Sequence, residues 1–388
     1  MNASQSLPDP DPAALERSRL LAARLRAAIA ASADGVIGFD EFMAMALYEP
    51  ELGYYANGER IFGRGGDFVT APEVGSLFGA CLAEQCRELL GDDDVIVEYG
   101  GGSGRLAADL LGALAAQDAA PSRYLMVEPS AGLAARQRAS LAHVAPTVAT
   151  RIEWYADHPP AGCRGVVIAN EVLDALPARR FVVEDQRWRE VVVGLDGETF
   201  AWRSRDYDGA LLDHAWAAAL PDGYLTEAQP GLDAWLRALR ARLARGVVLL
   251  FDYGYPRHEY LHPARARGTL QCHYRHHVHD DALRWPGLQD LTASVDFTRV
   301  AEAAFAAGFE VAGYTSQAQF LLHAGLDGLL AAAVDETERY RLAQQAKLLL
   351  LPGAMGQTFK CMALSAGPAQ ALRGFRHDER HRLEGFLS

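Results

Sequence analysis

The 388-residue sequence holds only two lysines, Lys347 and Lys360, and neither follows a glycine. A GxxxxGK[ST] phosphate loop is therefore excluded. Basic residues are in the minority: 37 Lys and Arg stand against 50 Asp and Glu, for a formal net charge of -13. No basic block occurs, which argues against a nucleic-acid backbone as partner. No uncharged apolar run approaches the roughly 18 to 20 residues of a membrane helix, so no membrane insertion is expected. The five cysteines (Cys81, Cys86, Cys163, Cys272, Cys361) are scattered and form no CxxC pair. They suggest neither a cysteine zinc site nor a disulfide framework, and they fit a reducing compartment. No apolar segment follows a basic start, so no secretory signal is expected. Leu15 to Ile29 carries Arg17, Arg19, Arg24 and Arg26 among alanine and leucine, as an organellar transit helix would. Asp9, Asp11 and Glu16 argue against that, so the segment reads as the first helix of the fold and the expected location is cytoplasmic.

What is present is an ordinary globular composition, 50% hydrophobic and 22% charged. Helical patterns cover Leu15–Ala30 and Phe39–Leu47, and two glycine-containing loops follow. Pro72-Glu73 then reads as the opening of a helix running to Leu89. From Asp94 the pattern alternates. Strands are expected at Val95–Glu98, Tyr124–Val127, Arg151–Trp154, Gly165–Ala169 and Val247–Phe251, with Ala/Leu helices between several of them. This is the pattern of an α/β fold: a mostly parallel sheet with helices on both faces. Arg299–Ala307 reads as a helix leading to Phe309-Glu310-Val311, and Gln357–Leu364 as a final strand. Two stretches break the alternation. Phe181–Thr199 looks like antiparallel hairpins. Residues 253–298 are rich in Tyr, His, Pro and Gly without a clean period, as a lid would be. The corresponding division is an N-terminal helical and loop region at 1–92, a ligand-binding core at 93–364 and a C-terminal tail at 365–388. The core would carry insertions at about 178–230 and 253–298.

The most informative stretch is Glu98-x-Gly100-x-Gly102-x-Gly104, directly after the first strand and directly before a helix. Glycines there let the backbone turn tightly and approach a ligand. The frame Gly102-x-Gly104-x-x-Ala107 also fits a dinucleotide fingerprint, so an NAD-dependent oxidoreductase is an alternative. The ExGxGxG form is that of S-adenosylmethionine-dependent methyltransferases. Glu128 ends the second strand, where an acid can accept both ribose hydroxyls of an adenosine. NAD and S-adenosylmethionine share that need. After the fourth strand come Asn170, Glu171 and Asp174, at the end of the sheet where ligands bind. Helix capping by Asn170 is the competing explanation.

Several segments occur in order along the chain: Gly66–Glu73, the glycine turn, Ala169–Pro177, Asp252-Tyr253-Gly254, Asp290–Phe297 and Met355–Lys360. Together they resemble the MidA family, whose mitochondrial members assist assembly of respiratory complex I. The departures are small, with Ala71 where the family often has Ser and Ser294 where it often has His. The resemblance implies a class I methyltransferase (Rossmann-like) fold with an added N-terminal helical part and insertions after strands four and five. It implies S-adenosyl-L-methionine as cofactor, S-adenosyl-L-homocysteine as product and protein arginine methylation as the reaction. The implied cofactor residues are Asp67, Thr70, Glu73, Glu98, Gly100, Gly102, Gly104, Glu128, Asn170 and Glu171. The expected partner is a protein substrate, with a complex I subunit as one candidate and a homodimer as one assembly. A non-catalytic assembly factor that keeps the fold is a second alternative.

Arginine sets its own requirement. Its guanidinium stays charged in water and is a poor nucleophile. Carboxylates in a fork would orient it. Glu171, Asp174 and Asp252 are the catalytic candidates. His273, His276, His277 and His279 match no standard zinc spacing, so no metal is expected.

Overall fold

The computed structural model describes residues 7–56, 70–368 and 370–383. Near the N-terminus, α1 (Pro12–Ala31) and α2 (Phe39–Tyr48) precede α3 (Ala71–Val74) and α4 (Ser76–Leu89). The single helix expected from Pro72 to Leu89 is broken at Gly75, whose φ is +156°. A Cβ there would lie 2.2 Å from the side chain of Gln345, whose Oε1 accepts from the Leu77 amide at 3.2 Å. Close approach of a distant glutamine, invisible in the local pattern, decides the break.

The central sheet uses β1 (Val95–Tyr99), β2 (Arg123–Val127), β3 (Ile152–Tyr155), β4 (Cys163–Asn170), β5 (Leu243–Tyr255), β6 (Glu310–Ser316) and β7 (Phe359–Ala366). Their spatial order is β3-β2-β1-β4-β5-β7-β6. β7 runs antiparallel to both neighbours, and the other pairings are parallel. Alternation within each strand makes the layers. Ile96 and Phe251 face one core, shared with Phe78 of α4 and Leu110 of α5 (Arg105–Ala115). Val97 and Leu250 face the other, covered by the helices Leu232–Arg242 and Phe297–Ala306. Phe251 meets Phe78 and Phe320 edge-on, at 5.3 and 5.0 Å between ring centroids. Burying such a ring stabilises by roughly 2–3 kcal/mol.

After β4 the chain leaves the sheet. Arg179–Glu184, Arg187–Asp196, Thr199–Asp206 and Leu225–Ala228 form an antiparallel sheet, as the hairpin pattern predicts. Asp185 and Gln186, with φ of +50° and +60°, make a tight two-residue turn of the kind hairpins favour. Ile37–Gly38 adds to this sheet, with Ile37 opposite Val193. α1, α2 and the inserted sheet therefore share a core of Leu21, Leu25, Phe39, Phe42 and Val193.

Residues 253–298 are more ordered than their composition implies. β5 continues to Tyr255, and Gln271–Tyr274, His277–His279 and Asp290–Thr292 form a three-stranded antiparallel sheet. Arg275 and His276, both at positive φ, turn its hairpin. Residues 317–350, where no element was expected, contain helices at Gln317–His323, Leu326–Ala331 and Glu336–Leu350. No helix of the described residues is long and apolar enough to cross a membrane.

Candidate functional site

A cavity of about 770 Å³ opens at the carboxyl ends of β1, β2 and β4, beneath Tyr48 of α2 and the loop at Tyr55. The glycine turn forms one wall. Gly100, Gly102 and Gly104 have φ of +65°, +53° and +84°, a left-handed conformation that costs any L-residue with a Cβ. A Cβ at Gly100 would also reach within 3.0 Å of Val172. The turn thus requires all three glycines, and packing requires Gly100 a second time.

The acids around this turn are held by hydrogen bonds. Glu98 is buried and accepts from the Tyr124 hydroxyl at 2.7 Å; burial pushes its carboxyl up to about 7, against the pull of that bond. Glu128 accepts from the Ser130 amide and from Gln137 Nε2, each at 3.0 Å, and burial raises its pKa. Gln137 was not anticipated. It is fully buried on α6 (Ala131–Val144), and its Nε2 also donates to the Gly102 carbonyl at 3.1 Å. Its Oε1 accepts from Trp154 Nε1 at 3.0 Å. One side chain thus ties the glycine turn to Glu128 and to β3. The signal was available: Gln137 interrupts the apolar stripe Leu133, Ala134, Leu141. Ser103 of the turn donates to Glu73 of α3. Thr70, at the N-terminus of α3, is buried, lines the cavity and makes no capping bond. Asp67 lies outside the described residues. Asp157 also lines the cavity; it follows β3, which ends one residue later than expected.

The other end is built differently. Glu171 leaves β4 at φ +53°, its amide donating to the Phe251 carbonyl at 2.8 Å. Asn170 Nδ2 donates to Glu171 Oε1 at 3.1 Å, while Asn170 Oδ1 is buried with no hydrogen-bond partner. Burial, followed by the neighbouring Asp174 charge, pushes Glu171 up to about 8. Burial pushes Asp174 up to about 6. Asp252, expected beside the acceptor, does not line the cavity. Its Oδ2 accepts from the amides of Leu173 and Asp174 at 2.9 and 3.2 Å, and its Oδ1 from the Tyr253 amide at 2.9 Å. It fixes the backbone that presents Asp174. Asp290 does line the cavity and was not singled out. No local pattern marks it: its strand, Asp290–Thr292, is three residues long and fully buried.

Among the described residues eight carboxylates line the cavity: Glu51, Glu73, Glu98, Glu128, Asp157, Glu171, Asp174 and Asp290. The basic lining groups among the described residues are Arg105, paired with Asp109 at 2.6 Å, and His158. The histidine hairpin is not part of this site. Its Arg275 reaches the Asp9 carbonyl and the Asp11 carboxylate at the start of α1, so this hairpin packs away from the cavity, and of the 253–298 segment expected as a lid it is Asp290 that lines it.

A parallel sheet with an antiparallel seventh strand, and a glycine turn between β1 and α5, define the class I methyltransferase fold. Comparison with known proteins agrees. Residues 77–315 match the family described as "Putative S-adenosyl-L-methionine-dependent methyltransferase". The Drosophila melanogaster protein called protein arginine methyltransferase NDUFAF7 homolog, mitochondrial, is 31% identical over 94% of this chain and 88% of its own length. The human protein arginine methyltransferase NDUFAF7, mitochondrial, is 27% identical over 90% of this chain and 84% of its own. A crystal structure from Burkholderia thailandensis, described as a "likely methyl transferase" bound to S-adenosyl-homocysteine, is 42% identical with a TM-score of 0.91. The match covers 97% of this chain and 100% of that one. The chain belongs to this family of S-adenosylmethionine-dependent methyltransferases, to which the MidA resemblance also pointed. That kinship replaces the dinucleotide interpretation of the Gly102 frame. The expectation of a cytoplasmic location is overturned by the relatives, whose names place them in mitochondria.

The residues present fit the cofactor. The left-handed glycines bring backbone to the cavity wall, the buried Asn170 Oδ1 lacks a partner, and Glu128 keeps one lone pair per oxygen for a diol.

Proposed function

We propose that this methyltransferase modifies the guanidinium of an arginine side chain in a protein. The observation behind this reading is the excess of carboxylates over cations among the described residues of the cavity lining. The cofactor brings one sulfonium and an electrophilic methyl group. Glu128 would hold its ribose, the glycine turn and Glu98 its amino-acid portion, and Thr70, Glu73 and Asn170 its remaining flank. Glu171 and Asp174 are then left to face a second cation. A fork of carboxylates suits a guanidinium, which is planar and presents paired N–H groups. The nitrogen that takes the methyl must release a proton, and carboxylates poised at about 6 and about 8 suit its uptake near neutral pH. Asp252 is assigned a positioning role through the amides it binds. The relatives' names support arginine as acceptor, and the MidA resemblance adds a respiratory complex I subunit as candidate substrate. The test is transfer of labelled methyl from S-adenosylmethionine into a host lysate, with mass spectrometry of labelled proteins. Label on an arginine supports the reading; label confined to lysine or to small molecules overturns it.

A further inference from the structure

The acids at the far end of the cavity come from two separated segments. Asp174 lies in the turn after β4 and is 4% exposed; Asp290 lies in the strand Asp290–Thr292 and is 2% exposed. The backbone locks the two together, since the Ala293 amide donates to the Asp174 carbonyl at 3.0 Å. Asp174 Oδ1 is buried at the cavity and completes no hydrogen bond, and no cation among the described residues pairs with Asp174. Asp290 Oδ1 accepts from the Tyr55 hydroxyl at 2.9 Å. The Tyr55 ring stacks on Tyr48, at 5.5 Å between centroids and 22° between planes. The Tyr48 hydroxyl donates to the Ala175 carbonyl at 2.8 Å, next to Asp174, and Tyr48 keeps 39% of its surface exposed.

We propose that Asp290 and Asp174, walled by the Tyr48–Tyr55 pair, form the seat of the acceptor side chain, and that the seat selects a guanidinium over an ammonium. This rests on the arginine-acceptor reading above and adds residues that reading does not use. Two carboxylates on separate segments can each take one edge of a planar fork, whereas an ammonium is a compact point charge. The tyrosine faces favour the flat, weakly hydrated cation. Tyr55 is a positioning residue: its hydroxyl fixes the rotamer of Asp290. The partly exposed Tyr48 marks the mouth through which a side chain on a protein would enter.

The experiment titrates ethylguanidinium chloride into the full-length protein saturated with S-adenosylhomocysteine, followed by thermal shift and calorimetry. Ethylurea serves as neutral isostere and n-butylammonium as the lysine-like cation. Ethylguanidinium should stabilise the complex, n-butylammonium should bind at least about tenfold more weakly, and ethylurea should have no effect. Asp290→Asn should weaken ethylguanidinium about tenfold or more and Tyr55→Phe about threefold. S-adenosylhomocysteine affinity should stay within about twofold in both, which also verifies folding. Should Asp290→Asn misfold, Tyr55→Phe alone decides. If the variants bind ethylguanidinium like wild type, the seat is elsewhere, while arginine labelling in lysate would still stand. If n-butylammonium binds as well as ethylguanidinium, the selectivity is overturned.

Discussion

The two ends of the cavity differ in how closely their acids crowd one another. Around the glycine turn each carboxylate has a donor of its own: Tyr124 for Glu98, Ser130 and Gln137 for Glu128, Ser103 for Glu73. At the far end Asn170 donates to Glu171 and Tyr55 to Asp290, but these acids and Asp174 also crowd one another, with Asp252 behind the cavity wall. Mutual charge comes directly after burial in raising Glu171 and Asp252, whereas at the turn the Glu128 charge is the last of the influences on Glu98. A carboxylate already bonded to neutral donors is organised for further neutral donors, such as hydroxyls. Carboxylates that repel one another are organised for a cation, which lowers their energy on arrival. The same residue type thus does different work according to what surrounds it.

The sharpest way to break this comparison is at the glycine turn. Gly102→Val places a β-branched residue at φ +53° on the cavity wall. Binding of S-adenosylhomocysteine should fall by about 10³-fold or more, since backbone strain adds to lost space. The fold should persist. Calorimetry giving an unchanged affinity in a folded variant would falsify the placement of the cofactor. Next comes Asp174→Asn, which keeps shape and removes charge. Methyl transfer in single turnover should drop by about 10²-fold with cofactor affinity near wild type, because orientation and charge stabilisation go together. Equal rates would mean the far acids are structural. Glu128→Ala should then cost roughly 1.5–3 kcal/mol of cofactor binding, the scale of charge-assisted hydrogen bonds, with little effect on transfer from bound cofactor. An unchanged KM for S-adenosylmethionine would remove Glu128 from the ribose.

The near end was legible because it is local. Strand, glycines and helix follow within Val95–Ala115, and Glu128 ends the next strand. The period-two and helical patterns that fix the sheet also fix where those residues fall. The far end is assembled from Tyr48, Tyr55, Asp174 and Asp290, which only the tertiary fold brings together. No spacing rule joins residues separated by more than two hundred positions. Asp252 misled for a related reason. An acid after a parallel strand reads as a site residue, but here three backbone amides consume it. The histidines between 273 and 279 misled because their density hid a simple hairpin with His276 in its turn.

The smallest expected effect is also the most direct measure of crowding at the far end. Glu171 is raised from 4.5 to about 8, and Asp174 from 3.8 to about 6. Between those unfolded and folded values the native protein retains protons that the unfolded chain has already released. Stability contributed by these groups is therefore greatest at low pH and falls as pH rises through the window from about 4 to about 8. The amide variant Glu171→Gln cannot ionise and removes the part of that slope due to Glu171. Between pH 5 and pH 8 the unliganded wild type should lose roughly 4 °C more in Tm than Glu171→Gln, the scale of about 3–4 kcal/mol spread over the large unfolding entropy of a 388-residue chain. A bound cation should reverse the trend for the liganded state. Ethylguanidinium should bind more tightly as pH rises through the same window and should release protons on binding, which calorimetry in buffers of different ionisation enthalpy reads directly. Parallel Tm profiles for wild type and Glu171→Gln, with no proton release, would show that the far carboxylates are already ionised, and the contrast between the two ends would reduce to one of position.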